Sequence, residues 1–209
     1  EPRHVVPGVR SLLRELEGEL DRLEANVEPT WEGLVEPLES MGERLGFTWG
    51  LVGHLMSVRN SEALREAHAT VQGEVVAFGL RQAQSRPIFE GLTALREGPD
   101  FDRLDATRRR VVESLLREAR HAGVGLPESD RARVSDIQSE LADLATRFGN
   151  NVLDATRAFS LTLRDPEEMA GAPESLRRLA AQNAREADEP DATAEAGPWR
   201  LTLDAPCSR

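Results

Sequence analysis

The sequence contains no lysine and no tyrosine, and Cys207 is the only cysteine among its 209 residues. We interpret the missing lysine and tyrosine as a coding bias toward GC-rich codons. A single cysteine cannot form an internal disulfide, which favours a reducing compartment. We therefore predict a cytoplasmic protein. An organelle is the alternative, because a chain that begins with Glu1 rather than Met leaves room for a preceding transit peptide.

Long apolar runs and excess positive charge are also absent. No run approaches the roughly 18 apolar residues that cross a bilayer, so no membrane partner is predicted. The chain has 26 basic and 37 acidic residues, and its net charge of −11 repels phosphate backbones. Arg108, Arg109 and Arg110 form no basic stripe, because successive helical residues point about 100° apart. Nucleic acid is therefore not expected as a partner.

The sequence lacks the residue patterns of the common catalytic sites. It has no His-Glu-x-x-His metallopeptidase signature, no Gly-rich phosphate-binding loop and no Gly-x-Ser-x-Gly elbow. Cys207 lies within the last three residues, where a protected nucleophile pocket is not expected. We predict no catalytic residue and no metal ligand in this chain.

Two histidines, His54 and His68, form the one grouping that suggests zinc ligands. Asn60 and Ser61 lie between them and supply N-cap side chains for a new helix, so the histidines belong to different helices. Along one straight helix, their separation would be about 21 Å. We predict that His54 packs in a core and that His68 lies at the surface or at an interface.

Apolar residues recur every three or four positions through most of the chain, which predicts a mainly α fold. One helix is expected from Val9, and a second from Trp31 with a kink at Pro37. A third, over 45–58, is expected to be enclosed by neighbouring helices. Further helices are expected over 62–85, 88–96 and 102–122. Gly123 is expected to be a left-handed C-cap. The strongest pattern runs from Val134 to Phe159 and predicts one long helix, or a pair bent at Gly149.

The apolar period changes to two in residues 158–165 and again in residues 197–206, which predicts two strands. Between them, residues 172–187 are predicted to form a helix with Pro173 in its first turn, followed by an exposed loop. We expect a helical domain over 1–157 and a strand-helix-strand start of a further subdomain over 158–206. A two-stranded ladder is marginal alone, so the sheet is expected to be incomplete.

Four blocks of the sequence resemble, in order, N-terminal parts of the oligopeptidase A branch of the thimet oligopeptidase family of zinc metallopeptidases. They are residues 4–39, residues 45–95 with the motif WGLVGHLMSVRNSEALREA, residues 148–159 (FGNNVLDATRAF) and residues 197–206 (GPWRLTLDAP). Together they extend over nearly the whole chain. The sequence CSR at 207–209 departs from the family pattern, so these residues are expected to lie outside it.

The resemblance implies a mostly helical enzyme of two halves that enclose a deep channel, in which a zinc site cuts short peptides. This chain would form the antiparallel, bundle-like N-terminal half and the start of a small sheet. The family's zinc ligands lie in its C-terminal half, so zinc is expected in a full-length member and no cofactor is expected in this chain. The positions implied or favoured as structural are Trp49, His54, Leu55, Val58, Asn60 and Leu64.

Two functions remain open at this point. The first is an N-terminal, channel-wall-forming fragment of a zinc-dependent oligopeptidase that acts on short peptides and lacks the catalytic half. The second is a stand-alone, non-catalytic helical interaction protein derived from that family. Zinc-dependent peptide hydrolysis by this chain itself is not expected, because no ligand set is present.

Overall fold

A computed structural model of the protein describes residues 1–203. In this part of the chain, the α-helices and strands are α1 (Val5–Ala25), α2 (Glu36–Val58), α3 (Glu62–Ala83), α4 (Arg86–Glu97), α5 (Ala106–His121), α6 (Glu128–Ala158), β1 (Ser160–Leu163), α7 (Glu174–Arg185) and β2 (Trp199–Thr202). The mainly α fold class is confirmed, and so is a small sheet near the C-terminal end.

The chain divides into two compact units, Glu1–Asp143 and Leu144–Arg209. The division falls within α6, so this helix contributes residues to both units. The boundary between family domains that the sequence suggests after residue 157 stays a prediction.

The core of the first unit forms around α1. The apolar residues of α1 follow the helical period and are buried at Val9, Leu13, Leu16, Leu20 and Leu23. Residues from α2 to α5 complete this core. Full burial of a side chain such as Leu16 contributes about 1.5–3 kcal/mol. The helix predicted from Val9 is confirmed. It begins earlier, at Val5, because a proline such as Pro7 is tolerated in a first turn.

The two helices predicted over 31–41 and 45–58 form one continuous helical segment. Trp31–Val35 is a π-helical turn, and the Glu36 N–H donates to the Trp31 carbonyl. α2 follows directly and has Pro37 as its second residue, so the amide that proline lacks falls where π winding gives way to α winding. The sequence suggested a kink at Pro37 inside a helix. In the structure, Pro37 lies at the start of α2 instead. It marks the change from π to α winding.

The C-terminal half of α2 is not enclosed, and the prediction for residues 45–58 is wrong in this respect. Phe47 is 76% exposed, Leu51 51% and Val58 57%, while Val52 is the buried residue of this half. An apolar helix surface can face a partner as well as a core, and periodicity does not distinguish the two. Among the helices of residues 1–203, none is long and apolar enough to cross a bilayer.

The turn between α2 and α3 has a side-chain cap for each helix. The Ser61 hydroxyl accepts a hydrogen bond from the Leu64 N–H at 3.2 Å, which confirms Ser61 as the N-cap of α3. Asn60 has a different role from the predicted one. The side-chain NH2 of Asn60 donates to the Met56 carbonyl at 2.7 Å, which gives a carbonyl in the last turn of α2 a hydrogen-bond partner. The side-chain oxygen of Asn60 accepts from Arg65 Nε at 2.6 Å.

The predicted helix over 102–122 is divided in two. Phe101–Arg103 forms a short 3-10 turn, and α5 begins after Asp105, whose carboxylate accepts from the Arg108 N–H at 2.9 Å. This N-cap fixes the helix start. Gly123 has a φ of +89°, which confirms the predicted left-handed C-cap.

The second unit has a small core of its own. β1 pairs antiparallel with β2, with Leu163 opposite Trp199. Trp199 is buried, and its indole N–H donates to the Ala194 carbonyl at 3.2 Å. The residues packed with Trp199 are Met169, Ala180, Ala181, Ala184 and Ala192. The two predicted strands are confirmed over shorter ranges, and residues 204–206 of the second lie outside the described part. α7 begins directly after Pro173.

α6 is a single helix of 31 residues, and the predicted bend at Gly149 is not needed to explain its pattern. None of its residues is buried. The apolar stripe that predicted the helix is therefore correct as a helical signal, but in this structure it forms no core.

Candidate functional site

Trp49 of α2 contacts His68 of α3, the histidine that the sequence analysis assigned to the surface or to an interface. The rings of Trp49 and His68 stack with centroids 4.4 Å apart and an interplanar angle of 23°. His68 is only 8% exposed, whereas His54 is exposed on α2. The predicted assignment is therefore wrong for both histidines: His68 packs against Trp49, and His54 faces solvent.

Burial determines the protonation of His68. It lowers the pKa of the imidazole below its ordinary value, because the charged form loses hydration. The Nδ1 atom of His68 is buried without a hydrogen-bond partner among the described residues, so nothing there compensates a second proton. His68 is therefore held neutral near pH 7, as a packing residue that joins two helices.

A neutral imidazole could ligate zinc, but the surrounding residues do not fit a zinc site. Such a site needs three converging protein ligands from His, Cys, Asp or Glu. Over residues 1–203, no group of three such side chains could hold a metal ion. Trp49 covers a face of the His68 ring, and its indole has no free lone pair with which to bind a cation. The zinc that the resemblance implies therefore finds no ligand set in the described residues.

The other positions singled out from the sequence differ in their surroundings. Leu64 is buried, Leu55 is half-buried and Val58 is exposed. Val58 is 57% exposed and does not belong to the apolar core of the first unit, so this core does not explain its assignment as a structural position. The importance of these positions to the family stays a prediction.

Sequence reasoning missed a charged groove between α1 and α3. The groove is open to solvent and has a volume of about 810 Å³; it is lined by Val6, Pro7, Arg10, Leu13, Arg14, Glu17, Glu74, Ala77, Phe78 and Arg81. Arg10 donates to Glu74 through Nε at 3.0 Å and Nη2 at 2.7 Å. The hydrogen bond lowers the pKa of Glu74 and raises that of Arg10. The pair is 64 residues apart, so local pattern gives no signal for it.

Further ion pairs join α1 to its neighbours. Arg81 of α3 contacts Asp21 at 2.5 Å and Glu24 at 2.9 Å. Arg44 of α2 contacts Glu15 at 3.1 Å and Glu19 at 2.7 Å, and the hydrogen bond with Glu19 raises the pKa of Arg44. These pairs are solvent-exposed, so each contributes little energy. They orient α1 between α2 and α3 and leave no activated acid, base or nucleophile in the groove.

Comparison with known proteins agrees with this mainly helical arrangement. Residues 9–131 match the family model described as Neurolysin/Thimet oligopeptidase, N-terminal domain. The chain is 44% identical over 206 residues to the probable cytosolic oligopeptidase A of Arabidopsis thaliana, covering 99% of this chain and 29% of that protein. It is 46% identical over 203 residues to the organellar oligopeptidase A of chloroplasts and mitochondria from the same plant, covering 97% and 26%.

A bacterial relative shows the same relation. Oligopeptidase A of Escherichia coli is 34% identical over 207 residues, which are 98% of this chain and 29% of that protein. This chain thus spans less than a third of the length of the curated relatives it matches. The matched family model covers more than half of the chain. The chain therefore belongs to the neurolysin/thimet oligopeptidase family, and residues 9–131 correspond to the family's N-terminal domain.

Proposed function

We propose that this chain is the N-terminal, channel-wall-forming part of a zinc-dependent oligopeptidase that cleaves short peptides, and that the zinc-binding half lies outside residues 1–209. The observation that carries the proposal is the match of residues 9–131 to the N-terminal domain of the family. The relatives named oligopeptidase A share nearly the whole of this chain and are more than three times as long.

The structure of the first unit supports a wall rather than a catalytic centre. A wall that restricts substrates by size must keep its shape, and the helices α1 to α5 share one apolar core. Ion pairs from Arg10, Arg44 and Arg81 link α1 to α2 and α3 at the surface of this core. Over the described residues no metal-binding group is present, so this part would act by shape and leave the chemistry to other residues.

The cellular compartment of the protein is also part of this proposal. Of the two Arabidopsis relatives, one is named cytosolic and the other chloroplastic/mitochondrial. We infer a cytoplasmic location for this chain, with an organelle as the alternative. A fluorescent fusion to the protein encoded from its native start codon tests this, and organellar fluorescence would contradict the cytoplasmic assignment.

Reading the transcript beyond codon 209 tests the missing half. The proposal expects an encoded His-Glu-x-x-His helix in the same frame. A stop codon with no such sequence at the locus would contradict it and favour the alternative of a stand-alone interaction protein.

Peptide labelling tests the channel wall in the longer enzyme. A short peptide that carries a photoreactive group and resists cleavage is expected to label residues within 1–143, and excess unlabelled peptide should compete. A larger folded protein with the same group should give no labelling, because a channel excludes it. Labels confined to residues beyond 209 would contradict the wall assignment.

A further inference from the structure

A cleft that is open to solvent lies between the end of α3, the start of α4 and the N-terminal part of α6, all within the first unit. It has a volume of about 570 Å³. Its charged lining consists of three arginines and one carboxylate, namely Arg81, Arg86, Arg131 and Glu24. The net charge of the whole chain is −11, so this excess of positive charge runs against the charge of the protein as a whole. We call this place the arginine cleft.

α6 turns a polar face toward the arginine cleft. Arg131, Ser135 and Ser139 follow one another at steps of four residues, so they lie on one side of the helix, and all three line the cleft. The large apolar residues Ile137 and Leu141 are exposed instead. Apolar packing therefore does not close the space between α6 and these two helices, and polar groups line it.

Most polar groups of the cleft already have partners within the chain. Arg81 contacts Glu24 at 2.9 Å and Asp21 at 2.5 Å, so carboxylates of α1 balance its charge. The hydroxyls of Ser135 and Ser139 each donate to a carbonyl four residues earlier in α6. The charge of the cleft that has no counter-charge in the chain is therefore that of its other two arginines.

Arg86 and Arg131 have no ion pair and no side-chain hydrogen bond among residues 1–203. The Nε atom of Arg131 is buried, whereas Arg86 is exposed as the first residue of α4. A buried guanidinium N–H that has no acceptor costs free energy, because it has lost hydration without gaining a hydrogen bond. An anion in the cleft supplies the acceptor and balances the two charges.

The geometry of a guanidinium group defines the class of ligand. Its planar set of N–H donors matches groups that present two or more oxygens at one centre, which are phosphates and carboxylates. The same positive charges repel metal cations. The cleft is much larger than one such oxyanion, so it also has room for a small molecule that carries the oxyanion.

We propose that the arginine cleft binds a small oxyanion, a phosphate or carboxylate group, between Arg86 and Arg131. Arg131 Nε donates to the anion from α6, and the Arg86 guanidinium donates from the start of α4. The bound anion thus joins α4 to α6 within the first unit. The site does not depend on the proposed peptidase role. A free ion and a carboxylate side chain from a longer form of the protein share this chemistry, and the experiment separates the two sources.

Heteronuclear NMR of the arginine side chains in the purified chain tests the site, with sodium phosphate and sodium acetate as separate probes. Sodium chloride keeps the ionic strength constant, because salt screens exposed charges. The Arg131 Nε–H signal is assigned by its loss in Arg131→Gln. We expect phosphate to shift this signal with a dissociation constant on the order of 1 mM, which two charge-assisted hydrogen bonds supply together. Acetate carries a single charge and should bind more weakly.

Substitutions locate the anion, and the NMR line width of phosphate measures binding to each variant. Arg86→Gln and Arg131→Gln should each weaken binding about tenfold, because each removes a charged donor. Arg86 is exposed, so its variant is expected to fold, and circular dichroism checks both. The matched control is Arg133→Gln, which removes the same charge from α6 at an exposed position outside the cleft lining. This control should bind phosphate as the wild-type chain does.

The same titration of a form that extends beyond residue 209 distinguishes the two sources of the oxyanion. Retained phosphate binding at Arg131 identifies a free ion as the ligand. Loss of phosphate binding, with the Arg131 signal already at the position to which acetate moves it, identifies a carboxylate of the longer protein.

Three results would overturn the proposal. The first is an Arg131 signal that neither phosphate nor acetate shifts at concentrations well above the expected dissociation constant. The second is unchanged phosphate binding in both Arg86→Gln and Arg131→Gln, which would place the anion outside the cleft. The third is equal weakening by Arg133→Gln, which would show that binding follows overall charge rather than a defined site.

Discussion

α1 and α6 carry the same kind of sequence pattern and use it in opposite ways. Both helices repeat apolar residues every three or four positions. In α1 these residues are buried, and Leu16 and Leu20 have no exposed surface. In α6 no residue is buried, and Phe148 is 71% exposed. The apolar period therefore identifies a helix and its contact face, but does not show whether the contact is made within the chain or with another one.

The largest expected effect is on the free energy of unfolding, which should respond differently to substitutions in α1 and in α6. Leu16→Ala should lower the free energy of unfolding by about 2–5 kcal/mol, because it leaves a cavity in the core. Leu141→Ala in α6 should change it by no more than about 0.5 kcal/mol in dilute, monomeric protein, because the side chain is already exposed. Urea unfolding followed by circular dichroism measures both. Equal losses would mean that the α6 stripe is also a core.

A smaller effect is expected where the second unit does have a core, next to Trp199. Gly197 has a φ of +71°, and a Cβ atom there would lie 2.7 Å from the Trp199 ring. Gly197→Ala should therefore destabilise this unit by about 1–3 kcal/mol. Tryptophan fluorescence during urea unfolding reports the loss.

Gly171 offers the matched control for this substitution. It has a φ of +82° with nothing within 4 Å of the Cβ position, so Gly171→Ala introduces backbone strain without a clash. The cost should be smaller than for Gly197→Ala. Identical losses at the two positions would show that the contact with Trp199 contributes nothing.

The elements of the fold that depend on local pattern could be predicted. The caps at Ser61 and Gly123, the helices and the change to strands follow from side-chain chemistry and apolar period. The exposure of residues within 45–58 could not be predicted, because a helix that is apolar all round fits a core and an interface equally well. The groove at Arg10 and Glu74 also gave no signal, since it joins residues distant in sequence.

The burial of His68 did have a signal in the sequence. His68 lies four residues after Leu64 and three before Val71, and both are buried on α3. Residues at this spacing share a helix face, so His68 belongs to the buried side. His54 lies two residues after the buried Val52, which places it on the opposite side of α2. Helical phase therefore predicts both positions, whereas residue type alone does not.

The pH dependence of stability should reveal the buried histidine of the first unit, His68. The pKa of His68 is lowered in the folded protein relative to its ordinary value of 6.5. The unfolded chain therefore binds more protons as the pH falls below 6.5, and stability present above that pH is progressively lost. His68→Phe, which keeps a ring against Trp49, should remove this loss between pH 7 and pH 5.5. Thermal melts across that range measure it.

His54→Gln is the control for the pH experiment, because His54 is exposed. This variant should retain the wild-type decline in melting temperature. A decline that disappears in His54→Gln but persists in His68→Phe would contradict the assignment of His68 as the buried, neutral histidine.

The smallest effect is expected from the ion pairs that orient α1. Arg81→Ala removes contacts with Asp21 and Glu24 and should cost less than about 1 kcal/mol, because the groups are partly exposed. The cost should shrink further at high salt, where surface charges are screened. Urea unfolding at low and high ionic strength measures the difference. A loss as large as that of Leu16→Ala would show that charge, rather than apolar burial, holds α1.

Hydroxyl-radical footprinting of the dilute chain, read by mass spectrometry, tests the contrast between α1 and α6 most directly. Leucine and phenylalanine react with the radical in proportion to their exposure, so one sample reports both helices. We predict that Leu16 and Leu20 stay unmodified while Leu141 and Phe148 are modified strongly. Equal modification of the two helices would contradict the contrast between a buried α1 stripe and an exposed α6 stripe.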